Sequence, residues 1–285
     1  MTRPLTPAPT LVIQTAFLGD VVLTTPLLTI LAERHGPVDV VTTPAAAPLL
    51  ETHPAVRRVW PHDKRGAGHG VAGARAFAKL LATQGYARAY LAHRSWRSAA
   101  IAQWAGIPVR IGFADSPARL SYTKRVKRRL QGHEVDRLLA LAGEETGKRA
   151  GGQAGGWSGE LPPVSLGLTD EDHALAERWL LEVKVRRGFV ALAPGSIWGT
   201  KRWPGFGELA ARLGSVVVVG GPDDRPLGDA VAAAGGAGSA NAAGALPLRA
   251  SAALIARASA LVTNDSAPLH LATAVGTPIV AVFGP

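Results

Sequence analysis

Short apolar runs alternate along the chain with stretches whose apolar residues recur about every 3.6 positions. The runs are rich in Val, Ile, Leu and Ala and predict strands, and the periodic stretches predict helices. Such alternation is typical of a parallel sheet covered by helices on both faces, so we predict an α/β fold. The predicted strands are 11–16, 38–43, 56–60, 87–93, 189–194, 216–220, 261–263 and 279–283, and the predicted helices are 71–84, 205–213, 248–258 and 267–275.

The alternation stops once, at GEETGKRAGGQAGGWSGELPP, residues 143–163. This stretch has hardly any apolar periodicity and is rich in glycine, which predicts a linker. We therefore expect two domains, 1–160 and 161–285, with a cleft between them and ligands outside the carboxyl ends of the strands. The chain ends on the apolar strand PIVAVFGP without a covering helix, so we expect the second domain to be truncated.

The net charge of +10 lies entirely in the first domain. Residues 1–160 contain 21 Lys and Arg against 11 Asp and Glu, whereas residues 161–285 contain 10 of each. The excess favours an anionic partner, which is a nucleic acid, a lipid head group or a phosphorylated substrate; a composition that is simply basic is the alternative. The sequence lacks the aromatic platform or recognition helix of a nucleic-acid-binding protein, so we expect no nucleic acid partner.

Cysteine content and hydropathy exclude further kinds of site and of protein. The sequence contains no cysteine, which excludes disulfides and thiolate metal sites. No apolar run approaches the roughly 20 residues of a membrane span, and the N-terminus lacks the apolar segment of a secretory signal. We expect a cytoplasmic protein that contacts a membrane at its surface at most.

Three junctions between a strand and a helix carry polar residues beyond those that a turn requires. The first is FLGD, where Asp20 lies at or near the start of a helix. A carboxylate there caps the free N–H groups of the helix, or it acts on a ligand, and the two roles compete for the same oxygens. A catalytic role requires Asp20 to point into the cleft rather than back onto its own helix.

The second junction is APGSIWGTKRWP, residues 193–204. Its hydroxyls, glycines and two cations precede a helix, whose N–H groups and dipole attract anions. It does not match the phosphate-binding loop GxxxxGK[ST]. The alternative is a surface loop with solvated cations and with tryptophans packed on the domain.

The third junction is TNDSAPLHLATAVGTP, residues 263–278. Ser266 stands where a helix begins, as an ordinary cap or as part of an anion site together with Asp265 and His270. The isolated histidine does not decide between these interpretations.

Taken in order, FLGDVVLTTP, PGSIWGTKRWP, and NDSAPLHLA followed by GTPIVAVFGP resemble the glycosyltransferase family 9 heptosyltransferases, particularly the ADP-heptose:lipopolysaccharide type. The segment HRSWRSAAIAQWAGIPVRIGF, residues 93–113, is similar to the acceptor-side region of that family. The resemblance implies a GT-B architecture of two Rossmann-like domains, the first for the acceptor and the second for the donor. It also implies an inverting, heptosyltransferase II-like enzyme that moves a heptose or a related sugar from an ADP-sugar to a lipopolysaccharide-type glycolipid at the inner membrane face. A GT-B-like protein that binds a nucleotide sugar without catalysis is the alternative.

The resemblance also implies roles for individual residues. Asp20 matches the catalytic base, and Lys201 matches the lysine that neutralises the donor diphosphate. The arginines Arg94 and Arg97, with Arg110 and the run KRVKRR at 124–129, are candidates for the anionic acceptor. Ala267 replaces a glycine that is frequent in the donor-binding loop. The donor-binding residues implied in this way are Ser196, Thr200, Lys201, Asp265, Ser266, Ala267 and His270.

One further pattern, Asp170-Glu171-Asp172, has the D-x-D spacing that binds a metal in other glycosyltransferases. Here it follows Thr169 and precedes an apolar helical stretch, which is the sequence pattern of a helix start. We therefore predict a capped helix and expect neither a metal nor another cofactor.

Overall fold

The structure, a computed structural model, describes residues 9–66, 68–128, 131–143 and 161–283. The chain divides into two compact units, Met1–Val164 and Ser165–Pro285, each with its own sheet. Most of the predicted linker, residues 144–160, lies outside the described residues, as do residues 129 and 130 of the basic run.

In the first unit, strands and helices alternate from residue 10 to residue 143. The strands are β1 (Thr10–Ile13), β2 (Val38–Thr42), β3 (Val56–Pro61), β4 (Arg88–Leu91), β5 (Val109–Phe113) and β6 (Lys124–Val126). The helices are α1 (Leu18–Leu23), α2 (Thr25–His35), α3 (Gly70–Ala82), α4 (Trp96–Trp104) and α5 (Glu134–Gly143). Within the described part of this unit, six parallel strands form one sheet in the order β3-β2-β1-β4-β5-β6. This is the strand order of a Rossmann fold, whose direction of winding changes between β1 and β4.

The core of this unit lies on both faces of the sheet. The strand β1 is buried along its whole length, and its side chains alternate between the faces. Leu11 and Ile13 pack with α3 and α4, whereas Val12 packs with α2 and α5. Strands covered in this way are apolar on both sides, which is why they appear in the sequence as continuous apolar runs.

The second unit repeats the same plan. Its strands are β7 (Val190–Ala193), β8 (Val216–Val218), β9 (Ala240–Asn241), β10 (Ala260–Asn264) and β11 (Ile279–Val282). Its helices are α6 (Asp170–Glu182), α7 (Phe206–Leu213), α8 (Arg225–Gly235), α9 (Leu248–Ile255) and α10 (Ala267–Val275). Among its described residues the strands form a parallel sheet in the order β11-β10-β7-β8-β9, so the winding changes direction between β7 and β10.

The predicted strands and helices are confirmed, with ends that differ by a few residues. The predicted strand 87–93, for example, is the shorter β4, because its last residues leave the sheet to form the loop before α4. No helix in the described residues is long and apolar enough to cross a membrane.

Candidate functional site

Each predicted site segment follows a strand at the point where its sheet changes direction of winding. In the first unit Asp20 follows β1, and Arg94 and Arg97 follow β4, which is the neighbour of β1. In the second unit the segment with Lys201 follows β7, and the segment that begins with Asp265 follows its neighbour β10. In open parallel sheets, ligands bind in the crevice outside the carboxyl ends of such strand pairs. Each unit therefore brings its predicted residues to the edge of the sheet where ligands bind.

Asp20 is the third residue of α1, and its side chain is half-buried. One carboxylate oxygen, Oδ2, accepts the N–H of Phe17, the residue that precedes the helix, at 3.2 Å. The predicted position at a helix start is confirmed, and the capping contact is formed: the carboxylate bonds back onto its own helix. Because that N–H donates to the charged form, the contact stabilises an ionised carboxylate at the positive end of α1. By the criterion drawn from the sequence, this contact favours the capping role, and the role of Asp20 as a base stays a prediction.

A buried pair of polar side chains supports the backbone of Asp20. The Thr24 hydroxyl donates to the Asp20 carbonyl at 2.7 Å, and the Gln14 amide donates to the same hydroxyl at 3.1 Å. The Gln14 side-chain oxygen accepts the N–H of Ala16 at 3.3 Å. Gln14 and Thr24 are almost fully buried. These contacts fix the turn between β1 and α1 that carries Asp20.

The two predicted acceptor arginines have different surroundings. Arg94 is exposed and pairs with Asp115 at 3.0 Å, which partly neutralises it. Arg97 is half-buried and donates to the carbonyls of Lys64 and Gly68 at 3.1 and 3.2 Å. The ammonium of Lys64, in turn, donates to the carbonyl of Thr15 at 2.9 Å. Arg97 and Lys64 therefore lie at the edge of the sheet where the Asp20 turn begins, and Lys64 was not predicted as a site residue.

The other predicted acceptor cations have structural contacts. The Arg110 guanidinium donates to the carbonyls of Ser121 and Ile107 at 2.7 and 2.5 Å. In the basic run, Lys124 and Arg125 are exposed on β6. Arg110 thus ties the β5 start to the segment before β6.

A half-buried histidine, also not predicted as a site residue, joins the end of β4 to the Asp20 turn. His93 Nε2 lies 3.2 Å from the Thr15 hydroxyl and 3.3 Å from the Ser98 hydroxyl. Burial lowers the pKa of His93 to about 4, and the nearby charge of Lys64 lowers it as well, whereas a hydrogen bond with the Ile13 backbone acts in the opposite direction. The imidazole is therefore neutral at pH 7, and it links three segments at this edge of the sheet.

In the second unit, Lys201 and Asp265 form an ion pair across 64 positions of sequence. Lys201 ends a short 3₁₀ helix, Gly199–Lys201, and both side chains of the pair are a little over one third exposed. The loop of Lys201 and the segment of Asp265 are therefore in direct contact, and their role in binding an anion stays a prediction.

The rest of the Lys201 loop is unevenly exposed. Ser196 is buried, and its hydroxyl accepts the N–H of Trp198 at 3.4 Å, while Thr200 is exposed. Trp198 is 61% exposed and does not pack on the domain, whereas Trp203 packs against Phe206, so the alternative of packed tryptophans holds for Trp203 and not for Trp198. A Cβ at Gly195 would lie 2.2 Å from Asp224 Oδ1, so the close approach of this loop to Asp224 requires glycine.

The helix α10 begins with the predicted donor-binding loop. Ser266 precedes the helix in an extended conformation, but its hydroxyl lies 3.3 Å from the Thr263 hydroxyl and does not cap the helix. Ala267 is the first helical residue, and His270, which is half-buried, follows one turn later. The ordinary capping role for the Ser266 side chain is therefore not seen, and the start of α10 lies beside the Lys201–Asp265 pair.

The D-x-D pattern is a helix start, as predicted. The Thr169 hydroxyl accepts the N–H of Asp172 at 3.3 Å, and Asp172 Oδ2 accepts the N–H of Thr169 at 2.9 Å. Arg249 donates to the same carboxylate at 2.9 Å. Burial alone would raise the pKa of Asp172, but the hydrogen bonds from Thr169 and the charge of Arg249 hold it below its ordinary value. In the described parts of the chain, no group of three or more His, Asp or Glu side chains is arranged to hold a metal ion.

Comparisons with known proteins identify the family and the fold. Residues 74–285 match the sequence model of glycosyltransferase family 9 (heptosyltransferase). Lipopolysaccharide heptosyltransferase 2 of Escherichia coli (strain K12) is 29% identical over 96% of this chain and 82% of its own length. The solved structure of the E. coli ADP-heptose LPS heptosyltransferase II superposes with a TM-score of 0.79 at 28% identity, covering 96% of this chain and 84% of that one.

A second solved structure, a family 9 glycosyltransferase from Veillonella parvula, superposes with a TM-score of 0.82 at 24% identity. It covers 96% of this chain and 80% of that one, and it supports the fold. The predicted GT-B fold class, with two Rossmann-like units, is confirmed. The chain belongs to glycosyltransferase family 9, the heptosyltransferase family.

Proposed function

We propose that this protein transfers a heptose from an ADP-linked donor to a lipopolysaccharide-type glycolipid. The observation that carries the proposal is the contact between Lys201 and Asp265 beside the start of α10, in a member of glycosyltransferase family 9. A cation and a helix N-terminus at the carboxyl edge of a parallel sheet suit a diphosphate. The relatives named above are a lipopolysaccharide heptosyltransferase and an ADP-heptose LPS heptosyltransferase, which supports this donor and this acceptor.

On the donor side, Lys201 neutralises the diphosphate as negative charge builds up on the leaving ADP. Fixed charges and dipoles are effective in this role because they need no reorganisation during the reaction. Asp265 pairs with the Lys201 ammonium until the diphosphate takes its place. Further donor contacts come from Ser196 and Thr200 in the Lys201 loop and from Ser266, Ala267 and His270 at the start of α10.

On the acceptor side, Asp20 acts as the base. It takes the proton of the acceptor hydroxyl while that oxygen attacks the anomeric carbon and the bond to the ADP oxygen breaks. The N–H of Phe17 donates to one carboxylate oxygen, and such a bond favours the ionised form that a base requires. A single displacement of this kind inverts the anomeric centre.

The basic first unit receives the anionic part of the glycolipid. Arg97, in the first turn of α4, lies at the edge of the sheet where the Asp20 turn begins, and Arg94 lies in the loop between β4 and α4. Cations at such a surface also attract the anionic lipids of a membrane. We therefore infer a protein that works in the cytoplasm against the inner membrane face, with the glycolipid as its membrane-bound partner.

Transfer assayed by mass spectrometry against a panel of nucleotide sugars tests the proposal. The purified protein should consume ADP-heptose in the presence of a lipopolysaccharide core acceptor. Binding of ADP without turnover of any sugar would favour the alternative, a nucleotide-sugar-binding protein without catalysis. Failure to bind ADP would refute the donor site.

Asp20→Asn tests the base. Asparagine keeps an oxygen for the Phe17 N–H but accepts no proton, so kcat should fall about 10²- to 10⁴-fold while the affinity for ADP stays unchanged. Asp170→Asn, which removes an exposed acid from the first turn of α6, is the matched control and should retain full activity. A wild-type rate in the Asp20→Asn variant would remove the assignment.

Lys201→Met tests the diphosphate contact. Loss of a charge-assisted contact should weaken ADP binding roughly 10- to 100-fold, measured by calorimetry. Lys184→Met removes an exposed lysine from the turn after α6 and should bind ADP as the wild type does. Equal ADP affinity in the two variants would contradict the role of Lys201.

A further inference from the structure

A buried asparagine connects the two segments of the proposed donor site. Asn264 is the last residue of β10 and is 0% exposed. Its side-chain nitrogen donates to the carbonyl of Pro194 at 2.8 Å, and its side-chain oxygen accepts the N–H of Trp203 at 3.1 Å. Pro194 and Trp203 stand at the two ends of the loop that carries Lys201. One amide group therefore holds both ends of this loop, and the next residue in the chain is Asp265.

Most other polar contacts described for this loop are internal to it. Arg202 donates through its side chain to the carbonyl of Ser196 at 2.9 Å and through its backbone to the carbonyl of Gly199 at 3.0 Å. The N–H of Lys201 donates to the carbonyl of Trp198 at 3.0 Å. These bonds fold the loop onto itself, but they do not fix it to the sheet.

Contacts that do leave the loop are weaker anchors than the Asn264 amide. The Lys201–Asp265 pair is more than one third exposed on both sides, and ion pairs with that exposure contribute little to stability. The Trp203 ring packs edge-on against Phe206 with 5.2 Å between the ring centres, which restrains only one end of the loop. The Asn264 amide is buried, so an unsatisfied group at either of its contacts would be costly.

We propose that Asn264 is a positioning residue of the donor-diphosphate site, an inference that rests on the proposed function. Its amide sets the Lys201 loop on the end of β10, so that the Lys201 ammonium faces Asp265 and the start of α10. The geometry needs one donor and one acceptor on the same short side chain. Aspartate would place an oxygen against the Pro194 carbonyl, and glutamine would extend about 1.5 Å too far.

The expected effect follows from preorganisation. A loop that is held before the ligand arrives does not have to be ordered upon binding. Without the amide, ordering of the loop opposes donor binding, so donor KM should rise while kcat falls less. Because Asn264 acts largely through Lys201, its loss should weaken ADP binding less in a variant that lacks the Lys201 ammonium.

Asn264→Asp tests the inference, with ADP as the probe and calorimetry as the measurement. The variant should bind ADP roughly tenfold more weakly than the wild type and show a raised KM for the donor. The matched control is Thr277→Val. It removes a buried hydrogen bond to the Ile255 carbonyl (2.9 Å) just before β11, at the amino end of the strands of the same sheet. Thr277→Val should lower the melting temperature by about as much as Asn264→Asp does, but it should bind ADP as the wild type does.

A double variant separates positioning from general destabilisation. Asn264→Asp combined with Lys201→Met should lose less ADP affinity than the sum of the two single losses, since coupled residues are not additive. Additive losses, or unchanged ADP affinity in Asn264→Asp, would overturn the inference. If Asn264→Asp does not fold, Asn264→Ser serves instead, because its hydroxyl is too short to reach both partners. If the wild-type protein does not bind ADP, the proposed function is refuted rather than the role of Asn264.

Discussion

The strongest pH effect on stability is expected from His93. Its imidazole is half-buried just after the end of β4, beside the hydroxyls of Thr15 and Ser98. Burial lowers the pKa of His93 from 6.5 to about 4. The folded protein thus keeps this ring neutral at a pH where the unfolded chain protonates it. The stability that results is fully present above pH 6.5 and is lost as the pH falls towards 4.

The magnitude follows from this difference in pKa. A shift from 6.5 to about 4 corresponds to about 3 kcal/mol in total, of which about 2 kcal/mol is lost between pH 7 and pH 5. His93→Gln removes the titrating group and keeps a polar side chain. The variant should therefore lose about 2 kcal/mol less stability between these two pH values than the wild type does.

Urea unfolding at pH 7 and pH 5 measures the difference, and an NMR titration of the His93 ring measures its pKa directly. His69→Gln is the control: His69 is exposed and forms no helix cap, so its removal should leave the wild-type difference unchanged. An equal loss of stability in the wild type and His93→Gln would refute the reasoning. A measured pKa near 6.5 would refute it as well.

Two further substitutions test buried hydrogen bonds. Thr24→Val removes the hydroxyl that bonds the Asp20 carbonyl and leaves the Gln14 amide without its acceptor. Urea unfolding should show a free energy of unfolding lower by about 2 kcal/mol. Transfer assays should show a lower kcat. Asp172→Asn removes the charge that pairs with Arg249, so unfolding at pH 7 should show a loss of about 2 kcal/mol. Since the pKa of Asp172 is lowered in the folded protein, its contribution is present above pH 3.8 and the difference from the wild type should shrink below that value.

Both substitutions have a matched control. Thr29→Val removes a half-buried hydroxyl that bonds the Thr25 carbonyl at 3.2 Å on the next helix, and it should leave kcat unchanged. Asp170→Asn removes an exposed acid from the same turn as Asp172 and should change stability by less than about 0.5 kcal/mol. Effects of equal size in variant and control would show that the buried contacts contribute nothing specific.

The sequence predicted the strands and helices well because both sheets are parallel and their central strands are buried on both faces. Such strands are apolar along much of their length, and the stretch Val216–Val218 is an example. The two units were predicted because the alternation of strands and helices stops once, at the linker. The three polar segments were found because each lies where a strand pattern changes to a helix pattern. The position of Asp20 at a helix start was also visible locally.

The supporting residues were not visible because their partners are distant in sequence. Asn264 bonds residues 70 and 61 positions away, and His93 bonds Thr15 across 78 positions. Nothing in the sequence around Lys64 shows that its ammonium reaches the Thr15 carbonyl. A local pattern predicts which residue stands at the end of a strand, but the fold decides what that residue touches.

In the proposed donor site, the Asp265 carboxylate competes with the diphosphate for the Lys201 ammonium. A diphosphate that binds Lys201 displaces an anion that is already part of the chain, rather than neutralising a bare cation. Affinity for ADP should therefore depend less steeply on ionic strength than at a site built from unpaired cations.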